Sequence, residues 1–573
     1  MSAIASVEEL PGGYPSPASL LPFTSEEALG IAQRLASKVV KLLVAPTKEL
    51  FDELFRPDAF WRDQVALTWT LRTFHTAPVI SDNLVPLLDR AKIDPASVSL
   101  QAQQVLAIPL PNGVSVIRAP FTFRTTNPKA ECSIAFKLLR SSEGIVQIFV
   151  VATALHALDA APWGLFDAPQ EVSAVLPASV EVLVVGGGHA GLSISAYLKA
   201  LGVNFAVVEK EPVIGDSWAT RYGSTTLHTT RSFSGLPFLP FPDDYPMFVP
   251  AKLMAQYYAN YVRALCLPAY AGRDCVNAVW DAAQNAWLVT LQRASDTETI
   301  LARTLVFALG IGGRRPVTPS FSGAETFKGE SLHSATYIDA SRWVGKHVVI
   351  VGASTTACDV ALDCVKAGVA EVTMIQRGPT RIYHQSHIIE LQKPFWGGGM
   401  PIEVGDVLAT EDPVYYAGFK RAGFLAGLEG SIQQQIYCRS GSHYPDVGAG
   451  VAIASGEIKV KSDASIREIM PTSVVFSDGA RLDADVIVYC TGFEKDMRIS
   501  AAKILGDEVA GILEPVWGLD REGEVRGCWK PSGHDKIWFH GGELQTMRYY
   551  GRFLAMQIVA ELKGLRPTPW TAH

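Results

Sequence analysis

The run EVLVVGGGHAGLSISAYLKALGVNFAVVEK, residues 181–210, decides the fold. Val182 to Val185 make an apolar strand, and Gly186-Gly187-Gly188-His189-Ala190-Gly191 at its end supplies G-x-G-x-x-G. Gly186 permits the tight turn, Gly188 lets the backbone approach a pyrophosphate, and Gly191 lets the next helix pack on the strand, with His189 and Ala190 at the variable positions between them. That helix, Leu192 to Leu201, stops at Gly202, and the N–H groups and dipole at its N-terminus favour an anion. The next strand, Phe205 to Val208, delivers Glu209, placed to accept from a ribose hydroxyl, with Lys210 beside it. A glycine pattern alone occurs in many turns, but here strand, helix and acid all stand where a dinucleotide fold needs them.

A second unit of this kind begins at His347 to Val351. Its turn, Gly352-Ala353-Ser354-Thr355-Thr356-Ala357, is a G-x-S-x-x-A variant in which Gly352, Ser354, Thr355 and Ala357 are the candidate contacts. A helix from Cys358 to Lys366 and a strand from Val372 to Ile375 follow, and the strand ends on Gln376-Arg377 where the first unit has an acid. A carboxylate repels a 2′-phosphate and a guanidinium binds it in a fork, so Arg377 points to NADPH over NADH. The expected fold class is α/β, with two Rossmann-like dinucleotide-binding domains preceded by an α+β domain.

Between the two turns, Phe327-Lys328-Gly329-Glu330-Ser331-Leu332-His333-Ser334-Ala335-Thr336-Tyr337 fits F-x-G-x-x-x-H-x-x-x-[YW]. This resembles the fingerprint of class B flavoprotein monooxygenases, in which Baeyer–Villiger enzymes carry Trp at the last position. Leu227-His228 through Leu236-Pro237, Gly215-Asp216-Ser217-Trp218 and Cys490-Thr491-Gly492-Phe493 resemble the YUCCA-type indole-3-pyruvate monooxygenases and their fungal relatives. The resemblance covers most of residues 180–550. It implies FAD on the first turn and NADPH on the second, with Ser217, Trp218, His228 and Thr229 near the flavin. Thr491, Gly492 and Phe493 would close the return to the FAD domain. The implied reaction puts one atom of O2 into a small organic substrate, by heteroatom oxygenation or by oxidative decarboxylation of a 2-oxo acid. Baeyer–Villiger oxygenation, a flavin disulfide reductase and a non-catalytic flavoprotein are the alternatives. No catalytic acid or base is assigned, and His333 is read as an interdomain strut. Two departures stand out: Ala308-Leu309-Gly310 lacks the hydroxyl of the family's A-T-G, and the second turn lacks two of its glycines.

Upstream of this region the patterning changes. Residues 1–23 are rich in Pro, Gly and Ser and expected to be disordered, until Thr24-Ser25-Glu26-Glu27 opens a helix with a capping box. Helical patterning to about Trp61, then long β-like runs after Gly113, predict an α+β domain over 24–158. The stretch from Leu54-Phe55 to Thr73-Phe74 resembles the nuclear transport factor-like fold of the ketosteroid isomerase superfamily. In that superfamily Asp or His residues in the cone do proton chemistry, which makes Asp63 and His75 candidates, although a packing or homodimer-forming role is the stronger expectation. Residues 159–179 read as a linker, 180–335 and 455–573 as the FAD-binding domain, and 336–454 as the NADP-binding domain.

A net charge of -7 gives no footprint for nucleic acid. The eight cysteines form no C-x-x-C pair, which argues against zinc ribbons and dithiol chemistry. The N-terminus lacks the apolar stretch of a secretory signal, and Ile145 to Leu155 is too short to span a bilayer, so a cytoplasmic location is expected.

Overall fold

The computed structural model describes residues 10, 15–110, 113–164, 172–310, 315–384, 413–427, 434–439 and 441–570. Thr24 caps α1 (Ser25–Val44) as its sequence predicts: its hydroxyl accepts from Glu27 N, and Glu27 accepts in return from Thr24 N. The helix α2 (Lys48–Leu54) follows, and then the chain departs from the helical expectation. Phe55–Gln64 is a strand, β1, with inward and outward residues alternating. After β2 (Leu71–His75) and α3 (Ala77–Ala91) come three long strands, β3 (Ser115–Thr126), β4 (Lys129–Ser141) and β5 (Val146–Leu158).

These strands lie in the order β2-β1-β5-β4-β3, antiparallel except for the β1–β5 pair, and short strands complete the sheet. One of them, Leu20–Leu21, pairs with β4, and Leu20 and Phe23 are buried. Ordered structure thus begins before Thr24; residues 1–9 and 11–14 of the expected disordered segment lie outside the described residues.

The first dinucleotide fold is built on parallel strands. β6 (Ser179–Val185), β7 (Phe205–Val208), β8 (Asp296–Phe307) and β14 (Ile537–Phe539) run in the same direction, with α4 (His189–Ala200) after β6. Near-continuous burial of β6 and β7 is what a sheet covered on both faces requires. The second fold has the order β9-β13-β10-β11-β12, all parallel: β9 (Glu330–His333), β10 (His347–Val351), β11 (Glu371–Ile375), β12 (Ile458–Lys461) and β13 (Val486–Tyr489). The boundary at residue 455 is therefore corrected. β12 and β13 are strands of the NADP-type sheet, and the chain returns to the first fold only after Tyr489. Likewise β9 places the start of this domain at about residue 330, inside the fingerprint segment.

One apolar core runs without a break from the N-terminal domain into the first dinucleotide fold, whereas the second fold packs around cores of its own. β1 and β2 dock on the C-terminal part of the chain. Arg62 donates to both carboxylate oxygens of Glu524 at 2.7 and 2.8 Å and to the Tyr550 hydroxyl, and Arg72 pairs with Glu522. The Trp570 ring stacks under the Arg72 guanidinium and meets Phe74 edge-on. Among the described residues no helix is long and apolar enough to cross a membrane.

Candidate active site

The first turn has the geometry its sequence predicts. Gly186 holds φ +110, and a Cβ there would stand 2.5 Å from the carbonyl oxygen of Ala308, at the end of β8. Only glycine tolerates both conditions. A Cβ on Gly188 would meet nothing within 4 Å, so space is open just where the backbone must be approached, and this is the cradle a pyrophosphate fits. His189 opens α4 on that space, and Gly191 packs directly on Gly186. Glu209 is buried at the end of β7; one carboxylate oxygen accepts from Gly187 N at 2.6 Å and the other from Glu211 N at 2.9 Å. The acid thus shapes the turn. Lys210 beside it is exposed.

The second turn repeats the first. Gly352 has φ +133, and its Cβ would lie 2.4 Å from the carbonyl oxygen of Cys490, which stands after β13 as Ala308 stands after β8. Ser354 caps α5 (Thr355–Ala367), and Ala357 is buried in its first turn. The hydroxyls of Ser354 and Thr355 both donate to His443 O, at 2.9 and 2.8 Å, so they tie the turn to Tyr444 and its neighbours. Gln376 is saturated by Leu425 and Thr380 and is structural. Arg377 is exposed past the end of β11, close enough to Lys495 to help depress its ammonium, after burial. Two cations side by side fit a phosphate monoester. Lys495 escaped the sequence reading because it comes from the other side of the return crossing.

The fingerprint segment crosses from one fold to the other. His333 Nδ1 accepts from Ala335 N at 3.0 Å, so the neutral ring carries its proton on Nε2, which donates to Gly492 O at 3.1 Å. Burial keeps this imidazole neutral, and its ring meets Phe493 edge-on. Both nitrogens are engaged, and the residue is a strut. Thr491 donates to Val317 O, and Pro316 bridges to Phe493, so residues 315–317 and 491–494 run side by side as two straps between the folds. Tyr337 is buried against Trp343 and donates to Asp363.

A polar latch joins the folds on the other side. Asp359 of α5 accepts from the Tyr222 hydroxyl at 2.8 Å and lies 3.4 Å from His228 Nε2. The structure thus brings His228 to the seam between the nucleotide folds. Thr229 shares a hydrogen bond with Ser234, while Ser217 and buried Trp218 lie in the short helix Asp216–Ala219, where Arg221 covers the indole.

The structure does not bring Asp63 and His75 together. Asp63 is fully buried and accepts from Leu67 N, Thr68 N, Thr68 Oγ1 and Thr153 Oγ1, which leaves no lone pair for a substrate proton. His75 stacks on Phe60, across β1 and β2 from Asp63. The carboxylate fastens the β1–β2 loop.

A family model described as pyridine nucleotide-disulphide oxidoreductase matches residues 183–393. The chain is similar to indole-3-pyruvate monooxygenase YUCCA1 of Oryza sativa subsp. japonica, 28% identical over 55% of this chain and 77% of the relative. It is also similar to indole-3-pyruvate monooxygenase YUCCA8 of Oryza sativa subsp. indica, 26% identical over 67% and 90% of the two chains. Its fold matches that of cyclohexanone monooxygenase bound to epsilon-caprolactone, with a TM-score of 0.51 and 16% identity over 67% and 88% of the chains. Fold and paired turns define a chain with two dinucleotide-binding folds joined at a seam. The relatives that the sequence resembles are monooxygenases.

Proposed function

We propose that this chain is an FAD- and NADPH-dependent monooxygenase that inserts one atom of O2 into a small organic substrate, by heteroatom oxygenation or oxidative decarboxylation of a 2-oxo acid. The observation that carries the reading is the His333–Gly492 strut, which fixes the fingerprint segment between the two dinucleotide turns. FAD would lie along Gly186, Gly188, His189, Ala190 and Gly191, with Glu209 and Lys210 at its ribose, and NADPH along Gly352, Ser354, Thr355 and Ala357 with its 2′-phosphate at Arg377. When bound, the flavin supplies the redox chemistry, passing electrons from NADPH to O2.

The protein's own residues orient and shield. Ser217, Trp218, His228 and Thr229 line the flavin side of the seam, Tyr222 and Asp359 hold the NADP fold closed over it, and Thr491, Gly492 and Phe493 complete the crossing. Excluding water from such a seam strengthens every interaction inside it. A disulfide reductase would need a reactive thiol pair. None of the eight cysteines forms a disulfide among the described residues, and burial pushes the thiols of Cys275, Cys364 and Cys528 up to about 12.

Incubation with NADPH, isotopically labelled O2 and a panel of thioethers, amines, cyclic ketones and arylpyruvates tests the reading. Label in a sulfoxide, an N-oxygenated amine or a decarboxylated acid is expected. Lactones or esters as the only labelled products would move the chain to the Baeyer–Villiger reaction, and NADPH oxidation without any labelled product would remove the monooxygenase function.

A further inference from the structure

In the N-terminal domain, β3 and β4 carry charged residues on the face of the sheet turned away from the core. Ile117, Ala119, Phe121 and Phe123 of β3 and Ile134, Phe136 and Leu138 of β4 point into the core, so Arg118, Arg124, Glu131 and Lys137 share the opposite face. The ladder sets Arg124 directly across from Glu131, and the guanidinium donates to that carboxylate at 2.6 Å. Further along, the same ladder sets Arg118 directly across from Lys137. Like charges in that position repel, and a cross-strand pair of this kind destabilises a sheet.

The pair is odd in its burial as well. Lys137 is 9% exposed, and burial, followed by the nearby Arg118 charge, brings its ammonium down to about 8. Arg118 has no hydrogen-bond or ion-pair partner among the described residues. Other cations of this face are answered: Arg62 by Glu524, and Arg124 by Asp159 as well as Glu131. A negative charge set between Arg118 and Lys137 would turn one repulsion into two attractions.

The neighbours suit an incoming anion. Arg118 is partly exposed, so the pair is reached from solvent on that side. In the row beside it stand Pro120, Ala135 and Ala152, which carry no side-chain polar group to compete for the cations. Across the sheet Lys137 is followed by Val150, then Phe60, then His75, which stacks on Phe60.

We propose that Arg118 and Lys137 form an anion site on this face of the N-terminal sheet, and that its ligand carries a phosphate group. The guanidinium offers a fork of N–H donors and the ammonium a point charge, two positive charges that a phosphate dianion matches and a carboxylate meets only by half. Neighbouring strands stand about 4.8 Å apart, so a group esterified to that phosphate would lie on the apolar surface of Val150 and Phe60. The site belongs to a different domain from both dinucleotide turns and is independent of the oxygenation proposed above.

Calorimetric titration of the full chain with inorganic phosphate, phenyl phosphate and acetate tests it, with FAD and NADP+ in excess so that the nucleotide turns are occupied. Both phosphates are expected to bind, about tenfold or more tighter than acetate. Arg118→Gln and Lys137→Met should each weaken phosphate binding about tenfold or more, the worth of one charge-assisted contact. Each variant removes one of two repelling charges, so neither should melt below the wild type in phosphate-free buffer, and added phosphate should raise the melting temperature of the wild type alone. Tighter binding of phenyl phosphate would identify an ester as the ligand and equal affinity the free anion; either result supports the site. Acetate binding as tightly as phosphate, no phosphate binding, or unchanged phosphate affinity in either variant would overturn it. So would variants that melt below the wild type without phosphate, because the two charges would then not oppose each other.

Discussion

Arg377 and Asp63 show how differently two charged residues are used. Arg377 is exposed near Lys495, and the partner proposed for it is the 2′-phosphate of NADPH. Losing one charge-assisted contact costs about 1.5–3 kcal/mol, so Arg377→Ala should raise the KM for NADPH roughly ten- to a hundredfold and leave that for NADH nearly unchanged. Equal effects on both nucleotides would separate Arg377 from the 2′-phosphate. Asp63 is the reverse, a carboxylate whose partners are all internal. Asp63→Ala strands the Thr68 and Thr153 hydroxyls and two backbone N–H groups. Denaturant unfolding should show a loss of about 3 kcal/mol or more, with NADPH oxidation by the folded fraction intact. A loss of turnover at unchanged stability would restore it as a catalytic group.

At the scale of elements, the docking of β1 and β2 depends on Glu524, which is buried and accepts from Arg62 and Thr73. Burial alone would raise its carboxyl, but the Arg62 guanidinium outweighs that and holds it below the usual carboxylate range. A lowered folded value means stability present above the ordinary glutamate range and lost as the pH falls through the lowered one. Glu524→Gln should cost about 3 kcal/mol near neutrality and flatten that acid-side decline, both readable by thermal unfolding across pH. An unchanged profile would show that the ion pair does not hold the domains. These elements were unevenly legible in the sequence. The two nucleotide turns were plain, because glycine, strand and acid positions there follow from one local geometry. β1 was not: its alternation is interrupted by Pro57, which falls where the pairing with β5 slips between Phe55 and Phe60, and the register shift spares a proline that a regular ladder would exclude. The short β-branched runs of β12 and β13 suit either parallel sheet, and only their pairing assigns them.

The whole molecule divides differently from its sequence. The N-terminal domain and the FAD fold share one core, and the chain's end helps to close it, with Trp570 between Arg72 and Phe74. A chain ending at residue 567 should unfold at lower temperature through its N-terminal domain, by about 2–3 kcal/mol for the lost aromatic and its cation contact. Limited proteolysis would then cut first within residues 48–91, and an unaltered cleavage pattern would count against the shared core. The NADP fold stands apart, tied to this body by the paired straps at 315–317 and 491–494 and by the Tyr222–Asp359 contact across the seam. A door hung from two hinges has one axis and sweeps one arc. Two adjacent tethers likewise deny the NADP fold the free swivel of a single linker and leave it one arc, at the closed end of which Asp359 meets Tyr222.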